Sequence, residues 1–180
     1  MKYLALFFCF FMLSCEHKTR EVNIDRLAFD TNDATVLFFK NVRRAYYTME
    51  DRQDAKAHIF RLQDWEDLDQ PTHLQTAIIH QWTLGKAYVF LESKHGIDVS
   101  KPFQVNWQKA QTNEQGILEY TVGNAQEQAI FLTKLYQLLQ QEASLTVDID
   151  QKKEPLFGSK DGQDLFRKTM IDYYRLIQML

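Results

Sequence analysis

The residue pattern predicts an α+β fold: a mostly antiparallel sheet of about six strands with two long helices packed on it. Three observations carry this expectation. Short runs with an apolar residue at every second position recur through the middle of the chain, the period of a half-buried strand. Two longer segments, 124–143 and 162–180, place apolar residues at every third or fourth position, the period of a helix that buries one face. The composition, 45% hydrophobic and 25% charged over 180 residues, is that of an ordinary folded chain and suits one domain better than two. Neither an internal repeat nor a low-complexity segment is visible.

Taken in order, Val22, Ile24, Leu27 and Phe29 read as an edge strand. Phe39, Val42 and Tyr46 have helical spacing, while Val42–Tyr47 has the branched and aromatic content of a strand; the favoured reading is a short helix from Ala34 to about Asn41, capped by Asn32 or Asp33, and then a strand. The charged stretch MEDRQDAK forms a hairpin loop whose return strand is AHIFRL, with His58, Phe60 and Leu62 on one face and Ile59 and Arg61 on the other. Residues 75–92 make a second hairpin around Thr83, Leu84 and Gly85, where glycine supplies the positive φ such a loop needs. Its second strand is apolar on both faces, Ala87, Val89 and Leu91 against Tyr88 and Phe90, which predicts a place in the middle of a sheet.

Phe103, Val105 and Trp107 alternate in one further strand, and Leu118, Tyr120 and Val122 in the next. Asn124 and Glu127 have the spacing of a capping box, opening a helix whose Gln128, Leu132, Leu135 and Leu139 share a face and which ends near Ala143. Leu145, Val147 and Ile149 alternate again. From about Gly162, Phe166, Met170, Tyr173, Ile177 and Leu180 form the stripe of a docking helix.

The N-terminus reads differently. Lys2 precedes an apolar run from Tyr3 to Leu13, after which the chain is polar through Glu21. Such a run rises about 17 Å as a helix, short of the ~20 residues a bilayer span needs. A charged start, a short apolar middle and a small residue at its end are the marks of a secretory signal. At its boundary Met12, Leu13, Ser14 and Cys15 resemble the lipobox of bacterial lipoproteins. The resemblance implies a diacylglycerol thioether on Cys15, cleavage before it, and loss of Cys9 with the removed peptide. It divides the chain into a signal peptide, 1–14, a lipidated tether, 15–21, and a single domain, 22–180. It also places the protein in the cell envelope, anchored to a membrane by its N-terminal lipid, with the outer membrane preferred because Glu16, not Asp, follows the cysteine.

With the sulfur at Cys15 acylated, the folded part holds neither a free thiol nor a disulfide, which excludes cysteine nucleophiles, thiolate zinc and iron–sulfur chemistry. The formal charge is −3, and loss of the single charge Lys2 takes it to −4. That balance gives no footprint for nucleic acid and no expectation of a polybasic membrane patch.

Candidate chemistry is sparse. None of the five histidines is paired at helix-face spacing, although His58 and His80 both fall in strands and could meet a metal or a carboxylate there. The serines Ser93, Ser100, Ser144 and Ser159 lack a nucleophile-elbow motif and suit backbone hydrogen bonds. Asp64, Glu66, Asp67 and Asp69 gather around Trp65 without the central glycine and closing glutamate of a calcium loop. Asp148 and Asp150 would share a strand face, the arrangement of paired acid and base. The six glycines are scattered as turn residues, and no cofactor is read. Trp65, Trp82 and Trp107 fall near strand ends or loops, where indoles line grooves or anchor interfaces.

The expectation is therefore a membrane-anchored envelope lipoprotein, non-enzymatic, that binds an envelope protein partner or takes part in assembly. A ligand-binding lipoprotein for a sugar, peptide or glycan is the alternative, and an envelope hydrolase using His58, His80, Asp148 or Asp150 a further one.

Overall fold

The computed structural model describes residues 22–180. Within them the chain is α+β, but its strands divide between two antiparallel four-stranded sheets instead of one sheet of six. The first contains β1 (Tyr47–Arg52), β2 (Ala57–Leu62), β3 (Leu74–Gln81) and β4 (Lys86–Ser93), in that order. The second contains β5 (Phe103–Lys109), β6 (Gln115–Tyr120), β7 (Ala143–Ile149) and β8 (Lys152–Pro155), in the order β6-β5-β7-β8. Among the described residues there are three α-helices: α1 (Asp33–Phe38), α2 (Ala125–Gln140) and α3 (Lys160–Leu176).

The split has a local cause. The free edge of β4 is already occupied, so β5 cannot extend that sheet. Ala87 N–H donates to the Phe29 carbonyl at 2.8 Å, Thr31 N–H to the Gly85 carbonyl at 2.7 Å, and Leu91 N–H to Oε1 of Gln128 on α2 at 3.5 Å. β4 is thus an edge strand, not a central one. Its two apolar faces have a different explanation: Ala87, Val89 and Leu91 are buried in the core, while Tyr88 lies under Phe29 with ring centroids 5.0 Å apart.

Two expected strands are not formed. Ile24–Arg26 is a single 3-10 turn, because the Asn23 side chain accepts Asp25 N–H at 2.9 Å and closes the backbone there; only Asp30 bridges to Lys86. Val42–Tyr46 is helical as well. α1, closed by reciprocal bonds between Asn32 and Thr35, runs into a π turn over Phe39–Arg43 and a 3-10 turn over Arg44–Tyr46, and β1 starts only at Tyr47. Phe39 packs against Tyr47 and Phe60 at 5.4 and 5.0 Å, and Arg43 reaches Asp172 at 2.8 Å. A helix keeps residues four apart about 6 Å from each other along its axis, where a strand would carry them about 13 Å apart, and these two contacts draw the segment onto the shorter path, so tertiary contacts override the strand propensity.

The remaining differences are of extent. β1 takes up much of the charged stretch, leaving Gln53–Lys56 as the loop, with Lys56 at φ 49°. The β3–β4 tip has four residues, Trp82 to Gly85, because Gln81 pairs with Lys86; Gly85 has φ 60°. Val122 lies beyond β6 and is exposed. β8, charged and closed by a proline, has no periodicity to reveal it; it forms because Asp150 and Gln151, at φ 49° and 67°, make the two-residue turn that returns β7 on itself.

Both long helices follow their caps. Asn124 and Glu127 form the reciprocal capping box and α2 ends at Gln140, burying Leu132, Leu135 and Leu139 while Gln128 turns to the β4 edge. α3 starts two residues before Gly162, because Ser159 Oγ accepts Gly162 N–H at 3.2 Å. Phe166, Met170, Tyr173 and Ile177 are buried along its stripe, and Leu180 is half-buried. Helix and sheet residues from both halves join one hydrophobic cluster.

Candidate functional site

Cys15 lies outside the described residues. His58 and His80 are brought together: they face each other across β2 and β3. They do not form a proton relay. His58 Nε2 stands 3.7 Å from Asp51 Oδ1, beyond hydrogen-bonding distance, and the ring stacks on Trp82 at 5.0 Å. His80 is buried, and burial, then Lys40, then His58 push its pKa below the usual histidine value, favouring the neutral ring.

The histidine with a carboxylate in reach is another one. His73 Nε2 is 2.9 Å from Glu154 Oε2, and Nδ1 is 2.6 Å from the His95 carbonyl. Periodicity gave no signal for it, because Glu154 belongs to the unanticipated β8. His73 is buried and both ring nitrogens are engaged, so it ties the start of β3 to the second sheet.

Asp148 and Asp150 do not share a strand face. β7 ends at Ile149, and Asp150 is the first residue of the turn. Asp148 instead accepts a bond from Asn106 Nδ2 at 3.1 Å. Ser93, Ser144 and Ser159 bond backbone groups, and Ser100 bonds the Asp98 carboxylate. Asp64, Glu66, Asp67 and Asp69 are exposed, with Glu66 paired to Lys94 at 3.0 Å. No group of three potential ligands that could hold a metal ion occurs among the described residues.

What the topology leaves open is a sheet edge. Of the four edges, that of β4 is covered. β8 presents Lys152, Lys153 and Pro155, and β1 presents Glu50, Asp51 and Arg52, charges and a proline of the kind that discourage strand addition. β6 differs: its sequence is QGILEY, with Glu119 its only charge and Ile117 57% exposed. Among the described residues no hydrogen bond uses its outer backbone edge.

Beside that edge lies a groove of about 530 Å³ on the outer face of the second sheet. The register builds it. Asn106 faces Ile117 on one side and Thr146 on the other, and Gln108 faces Gln115 and Ser144. The central rows therefore carry amides and hydroxyls, while charges stand at the margin, where Gln104 bonds Glu119 at 3.0 Å and Asp148 lies opposite Lys153. Trp107 is on the core side of β5; its ring lies over Gly116, where a Cβ would stand 2.7 Å from Cζ2. The sequence showed the alternation of β5 and β6 but not that their polar faces would meet that of β7. Comparison of the chain with protein-family models, with curated proteins and with solved structures finds no match.

Proposed function

We propose that this is a lipid-anchored protein of the cell envelope, preferentially of the outer membrane, that performs no catalysis of its own and binds an envelope protein partner. The observation that supports partner binding is the open, nearly uncharged edge of β6. An extended segment of a partner can add there as a fifth strand, drawing affinity from main-chain hydrogen bonds and specificity from Ile117 and the neighbouring amides. The test is a photo-crosslinking residue placed at Gln115 in cells. One discrete protein adduct is expected, and Ile117→Lys should abolish it while changing stability by no more than about 0.5 kcal/mol, since the side chain is exposed. An adduct that survives Ile117→Lys, or none at all, counts against strand addition.

The amides and hydroxyls that line the groove, with Lys153 its one charged residue, favour one alternative, a neutral glycan or peptide bound by Asn106, Gln108 and Thr146. Chemical-shift changes on adding glycan fragments, confined to β5 and β7, would favour it over a protein partner.

The anchor has its own test. Cys15→Ala should release the protein from membranes on fractionation and eliminate incorporation of labelled palmitate; undiminished labelling would remove the lipoprotein assignment.

A further inference from the structure

The mildly acidic whole conceals one segment of opposite character. From Ala34 to Met49 there is no Asp or Glu, while Lys40, Arg43 and Arg44 contribute three positive charges to a chain whose net charge is −3. The helical path through α1 and the two turns after it carries Phe39 and Arg43 inward. On the same path Leu37 is 59% exposed, Phe38 43%, Val42 49% and Tyr46 53%; Met49, at the start of β1, is 39% exposed. Arg43 is engaged by Asp172 and lies over the Tyr46 ring at 4.8 Å. Lys40 and Arg44 are exposed, and neither is paired with a carboxylate among the described residues. The nearest acids beyond the segment are already occupied or lie at its ends: Asp33 opens α1, and Glu50 is bound to Arg61 at 2.9 Å.

Leu37, Phe38, Val42 and Tyr46, exposed on successive turns of one helical path, form an apolar ridge that calls for a covering surface. None of residues 34–49 lines the groove beside β6, the hollow of about 370 Å³ between Gly96 and Ile149, or the one of about 710 Å³ between Val22 and Lys134. A protein partner would have to supply a matching groove. A bilayer interface receives such a ridge as it stands, with apolar tips at the acyl boundary, the aromatic rings of Phe38 and Tyr46 at headgroup level, and Lys40 and Arg44 beside the phosphates. We propose that residues 34–49 lie against an anionic lipid surface and form a membrane contact of the folded domain itself, separate from any lipid at Cys15. Net charge hid it, because the excess of acids lies elsewhere in the chain. Two cations without a carboxylate partner among the described residues and a short apolar ridge hold a surface only transiently alone; a tether that keeps the domain near the membrane raises the effective concentration and makes the contact persistent. The contact would then fix how the domain is presented.

The test is hydrogen exchange on the full chain reconstituted in nanodiscs, comparing discs that contain phosphatidylglycerol with discs of phosphatidylcholine alone. Both arms use one preparation, so the comparison does not depend on how the N-terminus is processed or on what binds at β6. Exchange at Leu37–Tyr46 should slow about tenfold or more on the anionic discs, in line with roughly a fivefold contribution from each cation. Lys40→Gln with Arg44→Gln should remove the difference, and Leu37→Ser with Val42→Ser should reduce protection on both disc types. Ile117→Lys should leave it unchanged. Equal exchange on the two disc types in the unsubstituted chain would overturn the proposal, as would protection that arises only when another protein is added.

Discussion

At the residue scale, the domain depends on a few buried polar groups whose partners come from distant parts of the chain. Asp172 on α3 is 2% exposed and accepts the Arg43 Nε–H, shared between its two oxygens at 2.8 and 2.9 Å, and the Tyr47 hydroxyl at 2.8 Å. Burial pushes the Tyr47 pKa up, and the Asp172 carboxylate adds to the shift, so the phenol remains a donor. Asp172→Ala would leave Arg43 half-buried and unpaired; we expect a loss near the lower end of about 3–5 kcal/mol in urea unfolding, because Arg43 retains some contact with water. Glu92 shows the opposite balance: burial raises its pKa, but hydrogen bonds from Arg61 and Gln75 outweigh that and hold it below the usual carboxylate range. His80 predicts a pH dependence. Its folded pKa is below the unfolded value of about 6.5, so the unfolded chain binds more protons in between. Its contribution is fully present above pH 6.5 and is lost as pH falls through the depressed folded value. The unfolding midpoint should therefore drop on acidification below about pH 6.5, and His80→Gln should flatten that slope; an unchanged slope would mean that other groups set it.

At the element scale, caps and turns were legible where one residue type satisfies the geometry. Asn124 with Glu127, Asn32 before α1, and Gly85 at the hairpin tip were each readable because the chemistry is local. The path of 42–46 was not, because the choice between helix and strand is made by Phe39 and Arg43 reaching partners far along the chain. β8 was invisible for a related reason: KKEP has no alternation, and only pairing with β7 makes it a strand. Gly158 illustrates a constraint neither pattern nor propensity gives. It has φ 67°, and an added Cβ would run into the Pro71 carbonyl oxygen. Gly158→Ala should cost on the order of 2–4 kcal/mol, read as a lowered denaturation midpoint, with no loss of helix content at low temperature.

At the scale of the whole molecule, two sheets share one core, in which Leu132, Leu135 and Leu139 of α2 join Val89 of the first sheet and Val147 of the second. The His73–Glu154 contact adds a polar link between the halves. A single cooperative unfolding transition is expected, with calorimetric and van't Hoff enthalpies equal; two separable transitions would show that the sheets fold independently. The sequence by itself determined the α+β class, the inward faces of most strands, both long helices and the cap of the first, since each rests on a period or a cap within a few residues. Only the tertiary structure decided that there are two sheets, that β6 keeps an open edge beside a polar groove, and that Leu37, Phe38, Val42 and Tyr46 point outward. Those outcomes depend on which strand edges and faces are already occupied, and occupancy is settled by residues too far apart in the chain for any local pattern to record.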